Sequence, residues 1–450
     1  FGTGSCTVGG NGWSFPGADS GRIRRTARPT LIQNGFLCDP ANGREGQFDL
    51  LIQDGNIAWV GKDPGVTADE VVDAAGLTVL PGLVDMHVHL RDPGFTQKED
   101  ILTGCEAAAA GGVTSLLCMP NTKPSVDSLE TVEYIQQKAK QAKARVYITG
   151  AITKGLSGQE LTDMGALYQA GCVAFSDDGR PVENAAMMTA ALKKTKELGA
   201  IVTSHCEDLS IINGGIVNDG AVSKALGVKG MHRSSEDTIT AREIILAQTN
   251  DCPVHIAHVS TRLSVQLIRE AKARGADVTC ETCPHYFSMT EEKVLTRDAD
   301  YRMNPPLREE ADRAAVLEGL LDGTIDCIVT DHAPHTPAEK ADFLKAPNGV
   351  IGMETSFAAS YTYLVKTGKM SLAQLVEKMS VNPARRLKIP AGTLSEGAAA
   401  DITLVDLNRD WVVKPEELHS KARNAVYKGM TLTGKVMATF CGGKLVYQQK

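Results

Sequence analysis

Eight short apolar runs, most of them separated by helical stretches, constrain this chain more than any other feature. They are LVDMHVHL from Leu83, TSLLCM from Thr114, RVYITGA from Arg145, CVAFSD from Cys172, AIVTSHCE from Ala200, VHIAHVS from Val254, DVTCET from Asp277 and DCIVTDH from Asp326. Between them lie stretches such as SLETVEYIQQKAKQAKA, AAMMTAALKKTKELG and TRLSVQLIREAKARG. Strand and helix alternating eight times over roughly 250 residues predict a parallel α/β barrel, a (β/α)8 TIM-like fold. A doubly wound open sheet is the alternative, but neither GxGxxG nor GxxxxGKS occurs to supply its phosphate-binding turn.

The two ends of the chain have another texture. TLIQNGFLCD, FDLLIQDGNIAWVG and VVDAAGLTVLPG are β-rich runs broken by Asn-Gly and Asp-Gly, which are hairpin signals. Similar runs return in ADITLVDL, WVV and GKVMATFCGGKLVY. The expected division is therefore a small β-sandwich domain built from 30–79 plus 386–450, and a barrel over 80–385. Residues 1–28 are rich in Gly and Ser with no apolar period, so 1–29 is read as a disordered or artificially added extension. A targeting peptide is the alternative there, but the segment lacks an amphipathic stripe.

Composition narrows the partners. The 47 Lys plus Arg against 54 Asp plus Glu give a net charge of −7, which argues against nucleic acid or an anionic membrane surface. No apolar run approaches the ~18 residues of a membrane helix, and no apolar signal-peptide core precedes the first strand. Eleven cysteines, an odd number without regular spacing, read as free thiols in a reducing compartment, hence a cytoplasmic protein. Cys280 and Cys283 form a CxxC with no second pair at zinc spacing, so they are expected to be structural.

The chemistry sits at the ends of the eight runs. The first ends in His87-x-His89 followed by Arg91, the second leads to Asn121, and the fourth ends in Asp177-Asp178. The fifth ends at His205, the sixth at His258 and the eighth at Asp331. Barrel sites are built on the C-terminal rim of the strands, so these residues would converge. Alternate strand residues face the same way, which lets His87 and His89 aim at one ion. Imidazole nitrogen and carboxylate oxygen are zinc ligands. Any single strand-end His is most simply a satisfied polar side chain, but eight of the ten histidines lie at or beside strand ends. His255 is out of phase with His258 and is expected to face away in a structural role; His285 and His332 have no role assigned.

Taken together, HVHLRDPG from His87, MPNT from Met119, SDDG from Ser176, HCE from His205, HVS from His258, RMNPP from Arg302 and TDHAPH from Thr330 resemble dihydroorotase. More narrowly, they resemble the bacterial class within the cyclic amidohydrolases, over residues 30–450. The resemblance implies a metal-dependent interconversion of N-carbamoyl-L-aspartate and L-dihydroorotate in pyrimidine (UMP) biosynthesis, with one or two Zn2+ ions per subunit. It implies His87, His89 and Asp331 as ligands of a first ion, and His205 and His258 of a second. Many relatives bridge the two with a carbamylated Lys; none stands after the fourth run here, and an Asp bridge fits the bacterial class. Asp178 is preferred to Asp177, which would point to the opposite side.

Ring opening needs an activated water, a polarised carbonyl and a proton for the leaving nitrogen. Asp331 is the expected general base and acid. Arg91 suits a substrate carboxylate because its planar fork binds two oxygens; a rim salt bridge to Asp92 is the plainer alternative. Asn121 and His335 resemble further carboxylate contacts and Asn304 a ring contact, although Asn121 after Pro120 also reads as a turn residue. The segment HAPHTPAEKADFLKAPNGVIG after Asp331 is expected to cover the substrate. The competing readings are a hydantoinase or allantoinase, and a non-catalytic dihydroorotase-like scaffold for aspartate transcarbamoylase. A homodimer, and a complex with aspartate transcarbamoylase, are the expected assemblies.

Overall fold

The computed structural model describes residues 29–62, 65 and 68–450. The extension expected over 1–29 lies outside the described residues except for Pro29, whose carbonyl accepts from the amides of Asp69 and Glu70.

All eight runs become strands of one parallel sheet: β1 (Leu83–Val88), β2 (Val113–Cys118), β3 (Arg145–Gly150), β4 (Cys172–Phe175), β5 (Ile201–Ser204), β6 (Val254–Ile256), β7 (Val278–Thr282) and β8 (Cys327–Ile328). They lie side by side in chain order. The seam between β8 and β1 is closed just beyond the strand ends. Val88 bridges His332, the His89 amide donates to the His332 carbonyl at 2.8 Å, and the Thr330 hydroxyl donates to Asp85 at 2.5 Å. β1 and β2 are buried along their whole length, as strands covered on both faces must be, and so read as unbroken apolar runs.

The helices between strands start where local chemistry tells them to. Asp100, Ser128, Asn184 and Thr261 each accept the orphan amide three residues on, which stabilises each helix start by about 1 kcal/mol. Gly199, at φ +78°, ends the helix Ala185–Leu198 in the left-handed conformation that suits glycine.

Strands from both chain ends share one six-stranded sheet. Thr78–Pro81 pairs antiparallel with Ile402–Val412, from Val405 opposite Thr78 to Ile402 opposite Pro81, and lies parallel to Phe36–Asp39. A four-stranded sheet of Thr30–Gln33, Asp49–Gln53, Asn56–Gly61 and Glu70–Asp73 accompanies it. Ile32, Leu37, Leu50, Ile57, Ile402 and Leu404 form a common core with a few neighbours, each burial contributing roughly 1.5–3 kcal/mol. The six-stranded sheet also grips the barrel, through Thr403 to the Gly112 carbonyl (2.7 Å) and Thr439 to that of Ala109 (2.8 Å).

Candidate active site

The C-terminal ends of β1, β4, β5, β6 and β8 bring six of the expected residues together. His87 is in β1 and His89 follows it; Asp178, His205, His258 and Asp331 each lie one to three residues beyond their strands. His258 and Asp331 have positive φ (30° and 49°), as does Arg91 (61°). Non-glycine residues rarely accept this conformation, and such outliers concentrate at functional sites.

The six form two groups that share one carboxylate. His87, His89, Asp178 and Asp331 present ligand atoms within 4.8 Å of one another, and so do Asp178, His205 and His258. Asp178 Oδ2 lies 3.2 Å from His87 Nε2 and 3.3 Å from His89 Nε2; its Oδ1 lies 3.3 Å from His205 Nδ1 and 3.6 Å from His258 Nε2. Asp331 Oδ1 is 3.2 Å from His87 Nε2 and 3.0 Å from His89 Nε2. Asp177 turns the other way and accepts the amides of Ile152 and Thr153 at 2.9 and 3.0 Å.

Outer partners fix which imidazole nitrogen faces inward. His87 Nδ1 donates to Glu281 Oε2 (2.8 Å) and His89 Nδ1 to Asn121 Oδ1 (2.8 Å), while His205 Nε2 donates to Glu207. Each of these leaves the inward nitrogen with a free lone pair, the arrangement metal-ligating histidines adopt. Glu281 is held in turn by His255 Nε2 at 3.0 Å, and Asn304 donates to Glu207 at 3.1 Å. His255 thus faces away from the cavity yet supports the group that holds His87.

The electrostatics ask for positive charge. Burial would raise Asp178 and Asp331, but the surrounding imidazoles reverse this, holding Asp178 well below the usual carboxylate range and Asp331 at about 2. Burial would lower His205; Glu207 and Asp178 instead push it up to about 10. Asp178 Oδ1 is buried without a hydrogen-bond partner among the described residues. His205 Nδ1 faces inward and lies 2.9 Å from His258 Nε2, two nitrogens that a shared cation would hold together. Buried oxygen and nitrogen lone pairs converging from four imidazoles and two carboxylates are the donor set of a borderline-soft divalent ion. The residues fit a metal site.

A cavity of about 260 Å3 opens beside this cluster, lined by His89, Asp178, His205, His258 and Asp331 together with Arg91, Asn121, Asn304 and His335. Arg91 donates to the Pro334 carbonyl at 3.1 Å. Burial lowers it to about 10, so it stays cationic at neutral pH. The alternative bridge from Arg91 to Asp92 does not form: Asp92 takes Lys138 (2.5 Å), Tyr134 (2.7 Å) and the Ile101 amide (3.0 Å). His335 is more constrained than its expected role suggests, because Nε2 donates to the Asn348 carbonyl (2.8 Å) and Nδ1 accepts from Lys98 (3.0 Å). The segment after Asp331 forms the wall of this cavity, contributing Ala333, Asn348, Gly349 and Val350.

Glu281, Glu207, Lys98 and Asn348 were not singled out by sequence reasoning. Glu281 carried one signal, as a charged residue inside an apolar strand run, and Glu207 another, as an acid three residues beyond a strand end. His332 holds buried Glu99 at 3.2 Å. His285 is buried and kept neutral, pushed down to about 3 by burial. Cys280 and Cys283 are fully buried, and all ten cysteines among the described residues are free. No helix among the described residues is long and apolar enough to cross a membrane.

Known proteins resemble the chain in sequence and in fold. Residues 76–264 match the dihydro-orotase-like family, and residues 225–447 the amidohydrolase family. Proteins named dihydroorotase from Acetivibrio thermocellus and Geobacter metallireducens are each 49% identical to it, over 93% of this chain and 99% of the relative. Among solved structures, an L-hydantoinase (dihydropyrimidinase) from Arthrobacter aurescens superposes with a TM-score of 0.83 at 27% identity, over 93% of this chain and 96% of the other. A dihydropyrimidinase from Brevibacillus agri gives 0.81 at 26% identity, over 93% and 95%.

Proposed function

The chain belongs to the dihydroorotase family of amidohydrolases, and from that premise we propose that it interconverts N-carbamoyl-L-aspartate and L-dihydroorotate, a step of pyrimidine biosynthesis. The observation that carries this reading is one cavity lined by two chemically different sets of groups: a carboxylate shared by two imidazole groups, and an arginine whose one hydrogen bond to an oxygen goes to the Pro334 carbonyl among the described residues. The first set suits divalent metal, the second the carboxylate that substrate and product both bear.

His87, His89 and Asp331 would hold one zinc and His205 and His258 a second, with Asp178 between them. Bound zinc supplies Lewis acidity and brings the pKa of water near 7. The chain's own residues do the rest. Asp331, ionised at neutral pH, takes the proton of the attacking water and returns it to the departing ring nitrogen; in cyclisation the same proton moves the other way. Arg91 holds the carboxylate through its two-pronged donor face. Asn121, committed through Oδ1 to His89, offers its NH2 group, and His335, whose Nε2–H is held by the Asn348 carbonyl, packs beside Arg91. Asn304, tied to Glu207, lies where it can contact the ring.

The hydantoinase alternative draws on the solved structures, whose identities of 26–27% stand against 49% for the dihydroorotases. Arg91 also disfavours it, since a hydantoin ring has no carboxylate of its own. A non-catalytic scaffold is disfavoured because every expected ligand type is present. Ten free cysteines support a reducing compartment, the cytoplasm. Assembly as a homodimer or with aspartate transcarbamoylase rests on the resemblance and is read from the sedimentation of the purified chain. The deciding experiment assays the purified protein on dihydroorotate and on hydantoin while measuring bound zinc. Dihydroorotate turnover by zinc-loaded protein is expected; turnover of hydantoin alone would overturn the reading.

A further inference from the structure

Lys98 has no part in the chemistry above, yet it touches a residue that does. It lies on the segment between β1 and the next helix, with its side chain 15% exposed. Its ammonium reaches two groups of the segment that follows β8: His335 Nδ1 at 3.0 Å and Glu339 Oε2 at 2.9 Å. The other Glu339 oxygen accepts the Thr336 amide at 3.0 Å, which anchors the carboxylate within its own segment.

An imidazole between these partners has only one workable tautomer. The Asn348 carbonyl, 2.8 Å from Nε2, can only accept, so Nε2 carries the hydrogen. Nδ1 then keeps its lone pair, to which a lysine can only donate. The imidazole also stays neutral, because burial, Arg91 and Lys98 all push its pKa down, to about 2. The backbone locks the ring in place. Gly349 has φ +153°, and a Cβ there would lie 2.6 Å from the Ala333 carbonyl oxygen and 2.8 Å from His335 Nε2. Only glycine lets the wall approach the ring this closely.

We propose that Lys98 is the positioning residue of the carboxylate-binding end of the cavity: it fixes the His335 ring against the Asn348 carbonyl beside Arg91, and adds a second cation there. The inference rests on the dihydroorotase reading and names what sets that site's preference for a carboxylate-bearing ring. Arg91 Nη2 lies 3.4 Å from His335 Nε2. The single His335 N–H is spent on the Asn348 carbonyl, and Arg91 spends Nε on the Pro334 carbonyl, so the terminal Arg91 nitrogens are the donors left for the two oxygens of a carboxylate. Glu339 offsets one positive charge of the Arg91–Lys98 pair, so the end keeps an excess of one.

The test compares dihydroorotate with dihydrouracil, the same ring without the carboxylate, in wild type, Lys98→Gln and Lys98→Met. Gln keeps a donor for Nδ1 without the charge; Met removes both. KM for dihydroorotate should rise in the order wild type, Gln, Met, reaching roughly tenfold or more in Met, the worth of a charged hydrogen bond. At the same time kcat should hold within a few-fold and the inhibition constant of dihydrouracil should not move. If dihydrouracil weakens in step with dihydroorotate, Lys98 merely braces the wall and the proposal falls. It falls equally if KM is unchanged in either variant. Should Lys98→Met not fold, Lys98→Gln carries the same comparison at smaller amplitude. Wild type that turns over no dihydroorotate would defeat the functional reading instead, which keeps the two failures apart.

Discussion

The two sides of the cavity differ in charge and also in how the chain builds them. The metal-binding side hangs from strand ends, and three of its four imidazoles each have one outer partner: Glu281 for His87, Asn121 for His89, Glu207 for His205. The carboxylate side hangs from connections, with Arg91 and Lys98 after β1 and His335, Glu339 and Asn348 after β8. Strand ends are held by the sheet ladder and need little else. The connections hold each other by cross-links, so one side of the site is rigid by architecture and the other by mutual contact. Substitutions should divide accordingly, into those that change metal content or turnover and those that change substrate affinity.

The largest effect should come from Asp331→Asn. Asn keeps an oxygen to touch metal but cannot take a proton, so kcat should fall by roughly 10²–10⁴ while zinc content falls less. Turnover and zinc measured on one sample decide the matter, since full rescue by added zinc would make Asp331 a ligand only. The pH dependence carries a sign. A carboxyl held at about 2 stays ionised above that pH and fails only well below neutral. Any loss of hydrolysis on mild acidification therefore belongs to protons competing with metal for the imidazoles, and it should shrink as zinc is raised. Cyclisation, where the carboxyl must deliver a proton, favours the opposite limb.

Arg91→Lys attacks the other side. The charge stays and the two-pronged geometry is lost, so kcat/KM for dihydroorotate should drop by about 1.5–3 kcal/mol, roughly 10–150-fold, with zinc content intact. Unchanged kinetics would refute the assignment. Glu281→Gln removes the buried negative charge behind His87 and should weaken zinc affinity by roughly 10–100-fold, read by chelator competition. The smallest functional effect is expected next door to the shared carboxylate. Asp177→Asn should leave zinc and KM alone and instead cost about 1–3 kcal/mol of stability in denaturant unfolding, because Asp177 serves the amides of Ile152 and Thr153. A loss of zinc in that variant would mean the two adjacent acids had been assigned the wrong way round.

The same contrast explains what could be read from the sequence. The barrel was legible because eight buried strands print eight apolar runs, and its rim because a polar residue at the end of such a run has nowhere to go but the mouth. Side-chain alternation separates Asp178 from Asp177, and the structure turns Asp177 into the backbone as that argument requires. Glu281 escaped because a single acid in a run of apolar residues looks like noise until its two histidine neighbours, one 194 residues away in sequence, are seen beside it. Lys98 and Glu339 escaped for the opposite reason: on connections, charged residues are the background. The long segment after Asp331 is expected from its length to cover the substrate, and the structure has it lining the cavity. How it is pinned, by Arg302 to the Phe343 carbonyl (2.7 Å) and by Lys340 to the carbonyls of Arg302 (3.1 Å) and Pro347 (2.9 Å), depends on contacts that no local pattern encodes.

The sheet that joins the chain ends imposes an order on synthesis. Thr78–Pro81 cannot meet Ile402–Val405 until about 320 further residues have been made. At ~5–20 residues per second this is a wait of roughly 15–65 s. Throughout it, the early strand has an open edge where its antiparallel partner will pair, the kind of edge that recruits strands from other chains. The barrel is translated entirely within that interval, so its strands can pair in chain order before the six-stranded sheet is complete. Ribosome stalling between residues 328 and 402 should therefore leave a nascent chain with a barrel's worth of sequence and an unsatisfied strand beside it.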